Sequence, residues 1–437
     1  MTRQVASTDA PNKPLPRIHS PDRSQVDPNP KRIDDLIPPD HKARLVWALV
    51  EELDMTPLLD NIKSVEGHPG RDATDPRILV ALWLYATDEG ISSARELARR
   101  CGDCDPYKWI RGGVYVNYHT LSDFRVQHSH WLREQVVTNI ATMRAEGLAS
   151  LDKLGQDGMR VRANAGSGSF KKAEKLSQLL EEAEQRWDQL QQEFEQTQRT
   201  SAEQAAQTRA ARERIERLKQ AREEVKQVAE QREKRKKGDG ETARASTTDP
   251  KSRRMKMADG GTRPAYNVQF DTDLDSLIIM GDDVVQSGSD SGQIEPMVQQ
   301  IEADQGPLPE DSEYYVDGGF CSHADLESMD GRGVTVFAPV KAVAKKKQKG
   351  EDPFAPKRGD TPAVAGWRQR MGTEEAQEKY KQRSKTEYPN ATCRNRGLQQ
   401  FLVRGLDKVR TVVMWYVLTH NLFRMVALRA ARSQMAA

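Results

Sequence analysis

The chain has 437 residues, 36% hydrophobic and 30% charged, with a formal net charge of +2. That length admits two or three domains, and so balanced a charge neither demands nor excludes a nucleic acid. Four cysteines (Cys101, Cys104, Cys321, Cys393) are too scattered for a disulfide scaffold, and the Cys101–Cys104 CxxC lacks a second pair to complete a zinc tetrahedron. No apolar run approaches the roughly twenty residues of a membrane span, and the N-terminus lacks the apolar core of a secretory signal. A soluble, cytoplasmic protein is expected.

Residues 1–36, rich in Pro, Asp, Ser and basic side chains, read as a disordered leader. Over 37–145 the pattern is helical. Leu45, Val46, Leu49, Val50 and Leu53 space an apolar face at helical intervals. Asp75-Pro76 supplies a cap and a first-turn proline, Ser92-Ser93-Ala94-Arg95-Glu96 has the form of a capping box, and Tyr118–Arg125 begins a further helix. A small helical domain with several basic side chains fits a DNA-binding module.

Residues 151–164 alternate apolar and polar positions around a glycine, which predicts a strand and a tight return. From Lys171 to Lys237 there is no proline or glycine, and two apolar stripes at 3–4 spacing flank a polar stretch, Thr197–Gln207. An antiparallel coiled coil is predicted over 171–239, ahead of one continuous rod of roughly 100 Å. A Gly/Ser/Thr linker follows, then strand signals at Tyr266–Phe270, Ser276–Met280 and Asp283–Val285, and a helix near 293–304. Tyr314–Asp317 and Val334–Phe337 read as buried strands with a helix between them. Residues 341–366 read as a Lys- and Pro-rich loop, and helices from Glu374 and Val409 close the chain. The order implies an α/β fold with a mixed sheet built from 146–170 and 240–437. It resembles the RNase H-like layout, interrupted by the coiled-coil hairpin and preceded by a helical N-terminal domain.

Asp157 and Asp317 each close a strand signal and precede a glycine, which would let the backbone turn and leave the carboxylate open. Either alone reads more readily as a turn residue or helix cap. Tyr380, Arg383 and Glu387 fall at i, i+3 and i+7, and Arg394 a further seven on, so one helical face can present them. Phosphodiester chemistry of the two-metal kind needs hard oxygen ligands converging on ions about 3.5–4 Å apart, and Asp157, Asp317 and Glu387 are the candidates.

The Tyr–x2–Arg–x3–Glu–x6–basic spacing resembles the YREK signature of bacterial insertion-sequence DDE transposases. The likeness runs nearly the length of the chain. Asp75-Pro76-Arg77, Tyr107–Gly113 and Thr120–Arg125 resemble the InsH-type N-terminal domain. Gln156–Ala165 and Asp317–Phe320 resemble the two catalytic-Asp segments, and Arg263–Gln269 the second strand. Glu387–Leu398, Val403-Arg404-Gly405 and His420-Asn421-Leu422 close the match.

The resemblance implies a DNA transposase in which Asp157, Asp317 and Glu387 hold two Mg²⁺ ions, with Mn²⁺ as a substitute. Water cuts the phosphodiester at the element's end, and the freed 3′-OH attacks target DNA. Tyr380, Arg383 and Arg394 would contact end DNA, and Lys345, Lys346, Lys347 and Lys349 would add either a salt-sensitive contact or a solvated loop. The implied partners are double-stranded DNA, as terminal inverted repeats and target, and a second copy of the chain on that DNA, at the bacterial nucleoid. Two departures stand out. The last basic position is Arg394 rather than Lys, and Pro389 should kink or end the helix carrying Glu387. Glu374, Glu375 and Glu378 compete with Glu387 as the third acid but lack the basic spacing. A catalytically inactive, transposase-derived DNA-binding protein is the alternative, and an RNase H-like nuclease that cuts without joining is a further rival.

Overall fold

The computed structural model describes residues 17–26, 31–67, 71–195 and 202–436. It divides into two compact units, Met1–Val136 and Val137–Ala437.

The first unit is built on helices α1 (Lys42–Glu51), α2 (Thr56–Asp60), α3 (Pro76–Asp88), α4 (Ala94–Asp103), α5 (Asp105–Arg111) and α6 (Tyr118–Gln127); the division falls inside α7 (Ser129–Ala145). α3 is the core element, with Ile78, Val80, Leu82 and Trp83 fully buried. Asp75 starts it by accepting from the Arg77 backbone N–H at 2.9 Å, with Pro76 in the first turn. Ser93 caps α4, accepting from Glu96 N at 3.3 Å. Glu96 does not complete the capping box: its carboxylate turns to Arg99 and Arg100, which hold it down at about 2.

The described part of the expected leader is structured. Residues 1–16 and 27–30 lie outside the described residues, but Ile18–His19 pairs in parallel with Ala73–Thr74. The Arg23 guanidinium lies 3.8 Å from the Trp47 ring centroid and 4.4 Å from that of Trp109, and Ile33 is buried. Composition averaged over 36 positions hides such anchors: one cation over an aromatic face and one buried isoleucine suffice.

The second unit is organised by a sheet of six strands among the described residues: β1 (Lys153–Arg162), β2 (Arg253–Lys256), β3 (Thr262–Asp273), β4 (Ile279–Val285), β5 (Glu313–Tyr315) and β6 (Thr335–Phe337). β1 is central. It pairs antiparallel with β3 from Leu154↔Asp273 to Arg162↔Ala265, and in parallel with β5 over Lys153–Gly155 only. β6 extends the sheet beside β5, while β2 and β4 pair with successive parts of the far edge of β3. An antiparallel meander followed by parallel strands with α10 (Ile294–Gln305) and α11 (His323–Asp330) between them is the RNase H-like arrangement.

Several local expectations are corrected. β1 has no tight return: it runs straight through Asp157-Gly158, because β3 offers an unbroken partner. Ser276–Met280 and Asp283–Val285 are not two strands. Leu277, at φ 61, turns the chain, and Ile279–Val285 is one strand. The linker contributes β2 instead of remaining irregular. The 341–366 loop holds α12 (Val343–Gln348), with Lys345–Lys347, and the start of α13 (Pro362–Met371).

The closing helix α16 (Leu406–Ala436) is long and apolar enough to span a membrane, contrary to the expectation that no run approached that length. It packs as a core helix: 72% of its most apolar window is buried. Asn421 accepts from Ile279 N at 3.0 Å and donates to Ile279 O at 2.8 Å, fastening the helix to β4.

Helices α8 (Ala173–Glu195) and α9 (Ala202–Arg235) form a hairpin rather than a rod; its tip, 196–201, lies outside the described residues. Leu176, Leu180 and Ala183 pack against Leu218, Ala221, Val225 and Val228. Glu184 meets Lys219 and Trp187 meets Arg212, so the two helices run in opposite directions. At the base, Glu224 is 2% exposed and paired with Lys251 at 2.6 Å and with Arg253 of β2.

Candidate active site

Asp157 sits mid-strand, where β1 loses β5 as a neighbour. Its odd-numbered position places it, with Gly155 and Met159, on one face of the sheet. Gly158 has no left-handed φ and makes no turn. A Cβ there would come within 2.4 Å of Gln269 Nε2 and 2.7 Å of Asp290 Oδ1. These atoms belong to a network on the opposite face: Asp290 accepts from Asn267 (2.7 Å), Gln269 (2.9 Å) and Arg160 (3.1 Å). The glycine after Asp157 is therefore a close approach, not a bend.

Asp317 stands two residues past the end of β5, in the loop that follows. Its Oδ1 accepts from Gly319 N at 2.6 Å, which turns the chain back toward Phe320.

The third segment is not one regular helix. α14 (Glu374–Tyr380) passes into a 3₁₀ turn over Lys381–Thr386, and α15 (Glu387–Asn395) begins at Glu387 itself. Pro389 explains the switch. It has no N–H for the Lys385 carbonyl, so an α ladder could not pass through it. Instead, the Glu387 N–H donates back to Ser384 and Lys385. The expected break near Pro389 is present and falls on the N-terminal side of Glu387: the proline lies in the first turn of α15, where no donor is needed. A tight contact seats the segment on the sheet. A Cβ on Gly155 would fall 2.5 Å from the Thr386 methyl and 2.9 Å from Leu274.

Arg383 joins two of the acids. It donates to Asp157 Oδ1 at 3.2 Å and to Glu387 Oε1 at 3.0 Å. Asn390, one turn beyond Glu387, donates to Asp157 Oδ2 at 3.0 Å. Asp157 is half-buried, and burial pushes its carboxyl above the usual range against the pull of Arg383, with Asp317 pushing the same way. Burial likewise raises the Tyr380 phenol, with Arg383 opposing and Asp317 and Asp157 reinforcing. Tyr380, Arg383, Asp157 and Asp317 thus share one electrostatic environment, whose edge is Glu387, 64% exposed. Arg394 is exposed in the last turn of α15. Glu375 and Glu378 pair with Lys379 and Lys381 and do not enter the site.

Comparison with known families adds the decisive observation. Residues 238–422 match the Transposase DDE domain family, and residues 31–127 match the Transposase domain (DUF772) family. The chain belongs to the DDE transposases of insertion sequences. No curated protein and no solved structure matches it. The transposase's two matched stretches include Asp317, Tyr380, Arg383, Glu387 and Arg394, but not Asp157, which lies in the unmatched 128–237.

Three carboxylates supply the hard oxygen donors that a divalent cation of the Mg²⁺ class requires, and the buried Asn390 Oδ1 beside Asp157 lacks a hydrogen-bond partner. The donor chemistry fits such an ion. Among the described residues, however, no group of three or more acids, histidines or cysteines is gathered closely enough to hold one. In the transposase, the place between Asp157 and Glu387 is taken by a guanidinium. Asn390 and the Arg160–Asn267–Gln269–Asp290 network carried no role in the sequence reading. Asn390 had one usable signal, its i+3 spacing from Glu387; the network had none, because Asp290 lies in a loop.

Proposed function

We propose that this transposase cuts the phosphodiester at the end of its element and joins the freed 3′-OH to target DNA, with Asp157, Asp317 and Glu387 holding two Mg²⁺ ions, for which Mn²⁺ can substitute. Bound there, the ions would stabilise charge on the attacking and leaving oxygens. The observation that carries the reading is Arg383, which ties Asp157 to Glu387 from positions 226 residues from Asp157 along the chain. Asn390 fixes the Asp157 carboxylate in one rotamer and leaves its other oxygen turned to Arg383 and the Gly158 N–H. When a phosphate enters, Arg383 is placed to exchange the carboxylates for phosphate oxygens, with which a guanidinium makes bidentate bonds. Tyr380 and Arg394 would grip backbone phosphates on either side, and Asp317 would complete the acid set from the β5 loop. Joining two ends implies a dimer on double-stranded DNA, at the nucleoid of a bacterial cytoplasm.

The test is a duplex bearing the element's inverted repeat, incubated with stoichiometric protein and Mg²⁺ or Mn²⁺. Nicking at the repeat and a joined product on a second duplex are expected. Asp157→Asn, Asp317→Asn and Glu387→Gln should each abolish both steps while retaining DNA binding. Binding without any cleavage by the wild type would favour the inactive, transposase-derived DNA-binding protein. Cleavage without joining would favour a nuclease.

A further inference from the structure

Between Gly155, its last residue paired with β5, and Arg162, which the segment at Gln400 meets, β1 presents an edge without a strand partner among the described residues. Asp157 stands at one end of this gap. At the other lies a cleft of about 860 Å³, walled by Arg160 and Arg162 of β1, Lys256 at the end of β2, Arg263 at the start of β3, and Arg394 of α15. One acid, Asp259, lines it, and that acid is tied to Arg263 at 2.7 Å. Arg160 is held by Asp290, and Arg162 donates to the neutral Gln400 Oε1 at 2.6 Å. Lys256 and Arg394 are exposed and, among the described residues, in no ion pair. The wall therefore carries five cations from three separate stretches of the chain; Arg160 and Arg263 are paired with Asp290 and Asp259, which leaves Arg162, Lys256 and Arg394 as the excess.

We propose that this cleft is a second DNA contact, holding the phosphate backbone of a duplex a few base pairs from the phosphodiester at Asp157; the register rests on the active-site reading above. Long cationic side chains around an open groove suit phosphates, which fix position without reading sequence. No aromatic ring lines the cleft, so it lacks the stacking platform on which single strands are held. Arg160 and Arg162 leave the face of β1 opposite Asp157 but lie only three and five residues along its unpaired edge, or about 10 and 17 Å at roughly 3.3 Å per residue, so a duplex laid along that edge can reach both. A duplex advances about 3.4 Å per base pair, which places the contact roughly three to five base pairs from the cut. Arg394 is thereby given a partner set: it acts with β1 and the adjoining ends of β2 and β3 rather than with Glu387.

The experiment measures binding of the full chain to three fluorescent probes from about 50 to 200 mM salt. The probes are a duplex carrying the inverted repeat, a mixed-sequence duplex, and a single strand of equal length. In Arg162→Ala/Lys256→Ala the slope of log K against log salt on duplex should fall by about 1.8, since each lost phosphate contact removes roughly 0.9. Affinity at the low-salt end should drop at least about tenfold, and Arg162→Lys/Lys256→Arg should restore both. A loss on the repeat duplex alone assigns the cleft to the element's end; an equal loss on both duplexes assigns it to any duplex, target included. Lys175→Ala/Lys226→Ala, which removes two hairpin charges already paired with Glu182 and Glu223, should leave the slope unchanged. The proposal is overturned by an unchanged slope in the cleft variant with an unaltered melting curve, by an equal loss in the hairpin control, or by a loss confined to the single strand. Cleavage is scored separately with Asp157→Asn. A wild type that never cuts but whose slope depends on Arg162 and Lys256 would sink the active-site reading and leave the cleft standing.

Discussion

Arg383 lies across Asp157 at 3.2 Å while its other terminal nitrogen holds Glu387 at 3.0 Å, so one guanidinium bridges two carboxylates brought together from distant parts of the chain. Its Nε is buried without a hydrogen-bond partner. The bridge is thus two-pronged and incomplete, a geometry that a phosphate could complete.

If the guanidinium holds the place of a cation, removing it should ease metal entry. Arg383→Ala is expected to bind Mn²⁺ about five- to tenfold more tightly in the absence of DNA, or about 1–1.4 kcal/mol, and to bind DNA more weakly. Calorimetric titration at pH 8 separates this from a propping role. Weaker Mn²⁺ binding in the variant would mean that Arg383 arranges the acids instead of competing for them.

The contact between Gly155 and Thr386 predicts a defect with a specific cure. In Gly155→Ala the new methyl meets the Thr386 methyl at 2.5 Å, and Thr386 immediately precedes Glu387. Overpacking of this kind costs about 1–3 kcal/mol and should push the Arg383–Glu387 segment off Asp157, lowering cleavage at least tenfold. Thr386→Ser deletes the opposing methyl but keeps the hydroxyl bond to Arg383 O (2.8 Å). The double variant should recover most of the activity; no recovery would locate the damage at Leu274 instead.

The sequence was legible where chemistry repeats locally. Asp75-Pro76 before α3 and the paired apolar stripes of the hairpin act within a turn or two of helix, and both reappear in the fold, whereas the single helical face expected for Tyr380, Arg383 and Glu387 is divided among α14, a 3₁₀ turn and α15. What failed was set by distant partners. Asp157-Gly158 looks like a turn until β3 is known to lie beside it, and the reason for Gly158 is the Gln269 and Asp290 side chains on the other face. Pro389 signals a break through its missing donor, but not that a 3₁₀ turn places the break ahead of Glu387. Asn390 was visible as a residue, but its role depends on a strand more than 200 positions earlier.

Asp271 predicts an unusual pH profile of stability. It is fully buried, and burial pushes its pKa up to about 7 against the opposing pull of the Tyr314 hydroxyl, with Asp273 adding to the rise. A raised acid favours the protonated folded state, so the stability it confers is complete below about 4 and is lost as pH rises through 7. Asp271→Asn removes that titration and keeps the shape. From pH 5 to pH 8 the variant should gain on the wild type by about 2.7 kcal/mol, the part of the roughly three-unit shift that lies between pH 5 and 7. Parallel melting curves from pH 5 to 8 would show that Asp271 is not the titrating group.

Glu224 fastens the hairpin to the sheet through Lys251 and Arg253. Burial acts to raise its pKa, but the hydrogen bonds from those two cations outweigh it and hold the carboxyl below its usual range. Its contribution is therefore present above the ordinary Glu pKa and lost as pH falls through the lower folded value. Glu224→Gln leaves Arg253, whose side chain is 15% exposed, beside a neutral amide, while Lys251, 41% exposed, can turn to water. Breaking a fully buried pair costs about 3–5 kcal/mol; with one partner half-solvated, about 2–3 kcal/mol is expected. Hydrogen exchange should quicken in the base of α9 and in β2 while the β1–β3 ladder stays protected, because the latter is held by its own backbone bonds. Uniform quickening across the sheet would mean that the hairpin base is part of the core that holds β1, and that the two cannot be separated by one charge.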